Sequence, residues 1–247
     1  YAPGELPLLE GNAGIKLHPK ANLWLDGGIL GSPFTNESAL SKDHLMYLRS
    51  FSAEYVPYYL QGMKLTAGLG EKSTVAVYAV NGWQQMQDQT PGMAGVVHWE
   101  YRPTARWLLN AVAFAGKEQQ RLFPSNATRR LFADFYAIYQ GPKGWKATAD
   151  AYLGHQAGQG YWGQANAQVQ APLAKNWSLS GRLEYFHDPN QVVTPYLQGY
   201  SGFRTASGGL TLNYKPHARA LLRLETRQFL AFNDSFPTPG LGKYAQW

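Results

Sequence analysis

The sequence predicts an all-β protein, a transmembrane antiparallel up-and-down β-barrel with about twelve strands in this chain. Three observations carry this. Polar and apolar residues alternate with a period of two in run after run. Short turns alternate with long loops. No stretch reaches the roughly 18 apolar residues of a spanning helix. The clearest strand is 164–171, where Gln164, Asn166, Gln168 and Gln170 share one parity and Ala165, Ala167, Val169 and Ala171 the other. A strand sends successive side chains to opposite faces, so one face is polar and the other small and apolar.

The first run, 9–18, sets Leu9, Ala13, Ile15 and Leu17 against Glu10, Asn12, Lys16 and His18, and Pro19-Lys20 turns it. The second sets Leu23, Leu25 and Ile29 against Asn22, Trp24 and Asp26. A long polar loop, 31–57, follows. The third run, 58–69, sets Met63, Leu65, Ala67 and Leu69 against Lys64 and Thr66. The fourth, 73–83, is apolar on both faces, so its facing is open. After loop 84–92 the fifth sets Val97, Trp99 and Tyr101 against His98, Glu100 and Arg102. The sixth, 106–116, puts Trp107, Leu109, Ala111 and Ala113 on the apolar side, and a polar loop, 117–128, leads onward.

The seventh run sets Leu131, Ala133, Phe135, Ala137 and Tyr139 against Arg130, Asp134 and Tyr136. Gly141 to Gly144 makes a tight turn. The eighth sets Trp145, Ala147, Ala149, Ala151 and Leu153 against Lys146, Thr148, Asp150 and Tyr152. Loop 154–161 leads to the ninth, and Pro172 to Asn176 turns it. The tenth sets Trp177, Leu179, Leu183 and Tyr185 against Ser178, Ser180, Arg182 and Glu184. Loop 187–202 precedes the eleventh, with Ala206, Leu210, Leu212 and Tyr214 against Thr205, Ser207, Thr211 and Asn213. The twelfth sets Ala220, Leu222 and Leu224 against Arg219, Arg223, Glu225 and Arg227. The remainder, 231–247, reads as loop.

A soluble β-sandwich also alternates. It accounts less well for an apolar face rich in Ala and Gly with aromatics at the strand ends, since soluble cores favour Val, Ile, Leu and Phe. Trp99, Tyr101, Trp107, Tyr139, Trp145, Trp177 and Tyr214 bracket the short turns on the apolar parity, where a membrane-interface girdle belongs. The opposite parity carries mid-strand charge, which a wet lumen tolerates and a dry core does not.

The net charge is +6 and there is no Cys. Lys and Arg are scattered singly, with no basic cluster or nucleic-acid-binding motif, so nucleic acid is not an expected partner. No catalytic constellation emerges. Ser201-Gly202-Phe203 is not a nucleophile elbow. His155 stands alone in its loop. His98 and Glu100 share a face but lack a third ligand, so neither a metal nor another cofactor is expected.

Several blocks resemble the β-barrel porin family of Gram-negative outer membranes. They include Asn12 to Leu17, Leu23 to Ile29, Glu37 to Ala39, Pro57 to Tyr59 and Asn81 to Gln84. Arg182 to Asp188 and Arg223 to Arg227 continue the resemblance, which covers nearly the whole chain. It implies a bacterial outer-membrane barrel without catalytic residues, and a single domain over 1–247. It also implies about three strands before Tyr1 and one after Trp247, about sixteen in all. The absence of an initiator Met fits a removed leader or a piece of a longer sequence.

The expected pore lining is Lys16, Asp26, Lys64, Glu100, Arg102, Arg130, Asp134, Lys146, Asp150, Arg182, Glu184, Arg223, Glu225 and Arg227. With Arg219, basic residues outnumber acidic ones in this set, which favours anions. The expected function is passive diffusion of small polar solutes, leaning to anions, through outer-membrane lipid. The alternative is a non-conducting structural or accessory barrel, bound to further copies of itself or to an envelope protein.

Overall fold

The computed structural model describes residues 10–90, 92–120, 126–195 and 202–232. Twelve strands form one sheet in which each pairs with its sequence neighbours. They are β1 (Gly11–Lys16), β2 (Leu23–Gly31), β3 (Tyr59–Gly68), β4 (Ser73–Val80), β5 (Ala94–Tyr101) and β6 (Trp107–Gln119). Then follow β7 (Ala127–Gln140), β8 (Lys146–Gln156), β9 (Gly160–Ala174), β10 (Trp177–Asp188), β11 (Phe203–His217) and β12 (Ala220–Ala231). Every ladder is antiparallel, and among the described residues β1 and β12 do not pair. No helix is long and apolar enough to cross a membrane, which leaves strand crossing open.

The predicted strands are present, and several are longer than their patterns suggest. Loop 117–128 shrinks because β6 runs to Gln119 and β7 starts at Ala127. Loop 154–161 is only a turn at 157–159, since β8 reaches Gln156 and β9 begins at Gly160. His155 therefore lies in a strand rather than a loop. Glycines and glutamines weakened the pattern there, but backbone pairing continued through them. Leu9 and the tail from 233 lie outside the described residues.

The alternation sets two faces of opposite character. On the outer face Leu183 is 73% exposed and Leu224 74%, while Ser180 and Thr211 on the inner face are 0% exposed. A sheet in water would have the reverse preference. Lipid around the outer face removes the cost of that apolar exposure. The ambiguous strand β4 turns Ala76, Tyr78 and Val80 inward and leaves Val77 out. Its two faces look alike because the inner one is also apolar there.

That inner apolar patch exists because the segment between β2 and β3 packs onto it. This segment, 32–58, contains a 3-10 turn at Ser41–Asp43 and one α-helical turn, α1 (Phe51–Glu54). Phe34 meets Phe132 edge-on at 5.3 Å and Trp83 at 5.5 Å. Phe51 packs on Phe186, Phe203 and Phe229 at 5.6–5.9 Å. Trp162 is fully buried in the same layer. Gly154 makes room for it, since a Cβ at Gly154 would lie 2.1 Å from the Trp162 ring.

Candidate functional site: a loop seated on the charged inner face

An irregular segment inside a barrel must satisfy its backbone groups away from bulk water. Here the wall does so with two kinds of side chain. Wall carboxylates accept from loop N–H groups, and wall arginines donate to loop carbonyls. The Thr35 N–H donates to Asp134 Oδ2 at 2.8 Å, and the Asn36 N–H to Asp150 Oδ2 at 3.0 Å. Ser52 Oγ donates to Asp150 Oδ1 at 3.0 Å, and the Phe51 N–H to Glu184 Oε2 at 2.8 Å. The N–H groups of Tyr47 and Leu48 both reach Glu225 Oε2, at 2.6 and 3.1 Å.

The arginines complete the cradle. Arg223 donates to the carbonyls of Ser41 (2.8 Å), His44 (2.6 Å) and Met46 (3.2 Å). Arg227 donates to the Arg49 carbonyl at 3.2 Å and to Glu184, and its guanidinium lies 4.8 Å over the Phe51 ring. Arg182 is the centre. Its side chain has no exposed surface. It donates to the Leu48 carbonyl at 2.6 Å. Its nitrogens lie 3.1 Å from Glu184, 3.7 Å from Glu225 and 3.9 Å from Glu37. Glu37, carried in by the loop, accepts from the Ser50 N–H at 2.8 Å and from Gln168 at 2.7 Å. One guanidinium thus faces three buried carboxylates, and dispersed hydrogen bonds offset part of their desolvation.

The expected lining residues divide into three sets. Asp134, Asp150, Arg182, Glu184, Arg223, Glu225 and Arg227 come together under the segment. Arg130 lies deeper toward the long loops, donating to Gln156 at 3.0 Å and stacking 5.3 Å over Trp83 and over Trp162. The others sit toward the short turns. Lys64 pairs with Asp26 at 3.1 Å and Arg102 with Glu100 at 2.8 Å. Lys16 and Lys146 are exposed and make no ion pair among the described residues. The wet-lumen expectation is therefore corrected for the first group. Asp134, Asp150, Arg182 and Glu184 are each 5% exposed or less, because the loop lies on them.

Three anchoring carboxylates escaped the sequence reading. Besides Glu37, they are Glu118 and Asp188. Glu118 accepts from the Trp83 N–H and from Gln85 at 2.8 and 2.9 Å, holding the β4–β5 loop. Asp188 accepts from the N–H groups of Val192, Val193 and Thr194 at 2.8–2.9 Å. Strand parity could have found the last two, since both lie on the inner parity of long runs. With them counted, the basic excess of the inner face nearly vanishes. Just outside the strands, burial and then the Glu54 carboxylate push the Tyr58 phenol above its ordinary range, against the opposing pull of Arg49.

On the outer face the aromatics expected at the interface lie beside the short turns, where two pairs touch across strands and one along β5. Trp107 meets Tyr139 at 4.7 Å and Trp177 stacks on Tyr214 at 4.3 Å. Trp99 stacks on Tyr101 at 5.7 Å, and Trp145 is half exposed. Among the described residues no three His, Cys, Asp or Glu side chains gather as a metal site.

The family described as "Putative beta-barrel porin-2, OmpL-like" matches residues 4–246. Among solved structures, the chain is similar to the crystal structure of Acinetobacter baumannii OccAB1, with a TM-score of 0.47 and 11% identity. The likeness covers 84% of this chain and 57% of that one, so this chain spans less than two thirds of it. No curated protein matches.

Proposed function

The chain belongs to this porin-2 β-barrel family of the bacterial outer membrane, and from that premise we propose that it forms the wall of a passive diffusion channel for small polar solutes. The observation that carries the reading is the pairing of an apolar outer face with a polar inner one, narrowed by a seated segment. The whole of 1–247 is read as one barrel domain whose inner face conducts, without catalysis. Of the inner-face charges, Lys16, Asp26, Lys64, Glu100, Arg102 and Lys146 are read as pore lining, the buried cluster around Arg182 as the support of the seated segment, and the outer aromatics as the anchor in the interface.

The lean toward anions rests on the short-turn rim rather than on the buried arginines. Lys16, Lys146 and Arg219 are exposed there. Lys20, Lys72, Arg106, Lys143, Lys175 and Lys215 stand in or beside the same turns, where Glu71 is the exposed carboxylate. A rim of one sign raises the local concentration of counter-ions at the mouth. The second reading, a non-conducting accessory barrel, is favoured by how completely the segment covers Arg182 and its carboxylates.

Single-channel recording in planar bilayers decides between them. Discrete conductance steps, with a reversal potential toward the anion in a salt gradient, are expected. Lys16→Gln with Lys146→Gln should move that potential toward the cation, and high salt should mute the difference. A silent bilayer would favour the accessory barrel, and cation selectivity would remove the rim argument.

A further inference from the structure

The outer face has a charge pattern of its own at the long-loop end. Within the described strands, the carboxylates lie on the inner parity. Above the apolar band, the outer parity of β6 to β11 carries Lys, Arg and His and, among the described residues, no Asp or Glu. Lys117 and Arg129 are exposed direct cross-strand partners at the β6–β7 end. His155 follows on β8, its ring 4.3 Å from Tyr161. His187 and Arg204 are cross-strand partners at the β10–β11 end. Arg204 donates to the Tyr185 hydroxyl at 3.0 Å and lies 5.4 Å from the Phe232 ring centre.

Like charges directly opposed across an antiparallel pair destabilise it, because the Cβ atoms are about 5 Å apart. Neither Lys117 nor Arg129 has a carboxylate partner among the described residues. An external anion removes that repulsion. Lys117 lies two residues beyond Ala115 and Arg129 two before Leu131 on the lipid-facing parity, the level at which an apolar band gives way to headgroups. We propose that the long-loop rim of the outer face, centred on Lys117 and Arg129, binds the phosphate groups of phosphorylated lipid headgroups. A phosphate offers three acceptor oxygens, which suit an ammonium and a guanidinium presented side by side. Tyr161 and Tyr185 add ring faces at the same level.

The test is binding of fluorescent diphosphorylated lipid A to the natural protein folded in phosphatidylcholine vesicles, read by energy transfer from barrel tryptophans. Each cation near an anionic headgroup is worth about fivefold, so Lys117→Gln with Arg129→Gln should weaken binding about thirtyfold. Lys146→Gln, at the opposite rim, should leave it unchanged. The charge-keeping pair Lys117→Arg and Arg129→Lys should retain it. If the double Gln variant does not fold, either single variant, about fivefold weaker, carries the comparison. Unchanged binding in the Gln variants would overturn the proposal. So would equal binding of the dephosphorylated glycolipid, which would assign the contact to acyl chains. Inorganic pyrophosphate bound as tightly, in the absence of phosphorylated lipid, would assign the site to a free anion and overturn it too.

Discussion

Replacing Arg182 by Met removes the one guanidinium shared by Glu37, Glu184 and Glu225 while nearly keeping its volume. Taking away one partner of a buried ion pair costs about 3–5 kcal/mol, because the other charge stays buried without compensation. Here the lower end applies. Glu184 keeps Arg227, whereas Glu37 loses its cation at 3.9 Å and Glu225 the one at 3.7 Å. Arg182 has no solvent-exposed side-chain surface, so screening does not reduce the figure. The wall need not unfold to relieve the cost. If residues 37–51 leave the inner face, Glu184 and Glu225 become hydrated and the penalty disappears. About 3 kcal/mol therefore falls on the seated state alone and shifts the seated-to-released ratio by about 150-fold toward release. Single-channel recording should show a larger conductance than the parent, with limited proteolysis cutting between 38 and 49. The barrel should still run as a folded, heat-modifiable band. Adding Glu37→Gln should recover part of the parent behaviour, since one stranded carboxylate is then gone. Parent conductance and parent proteolysis in Arg182→Met would refute the idea that this network seats the segment.

Two further outcomes follow from the faces. Val169 and Gln170 are neighbours on β9, Val169 exposed on the outer face and Gln170 inward with its amide 3.1 Å from Ser180 Oγ. Val169→Arg should lose about 2–4 kcal/mol of folding stability in a bilayer and Gln170→Arg much less, and equal loss in urea titrations would overturn the assigned parity. Gly154→Ala should push Trp162 from its place against β8, costing about 1–3 kcal/mol and shifting tryptophan emission to the red; an unchanged spectrum and midpoint would show that the layer yields freely.

Strand identity and facing were legible because side-chain alternation is a local property. Leu183 reads as outward and Arg182 as inward from their immediate neighbours, and the structure agrees on both. The short turns were legible for the same reason, as at 141–144, where Lys143 adopts a positive φ of 55° beside Gly144. What the long loops do was not legible. Thr35 meets Asp134 across 99 residues and Asn36 meets Asp150 across 114. Nothing local in Ser32 to Tyr58 says that its N–H groups will find wall carboxylates rather than water. The fourth run stayed ambiguous on the same account, since its inward Tyr78 and Val80 make sense only once Phe34 and its neighbours lie nearby. The sequence by itself determined the strands, the parity of every one but the fourth, and the apolar outer surface, because a period of two needs only adjacent residues. Only the tertiary structure decided that Arg182, Arg223 and Arg227 hold a chain segment rather than stand in open water, because that depends on contacts whose two halves lie more than a hundred residues apart.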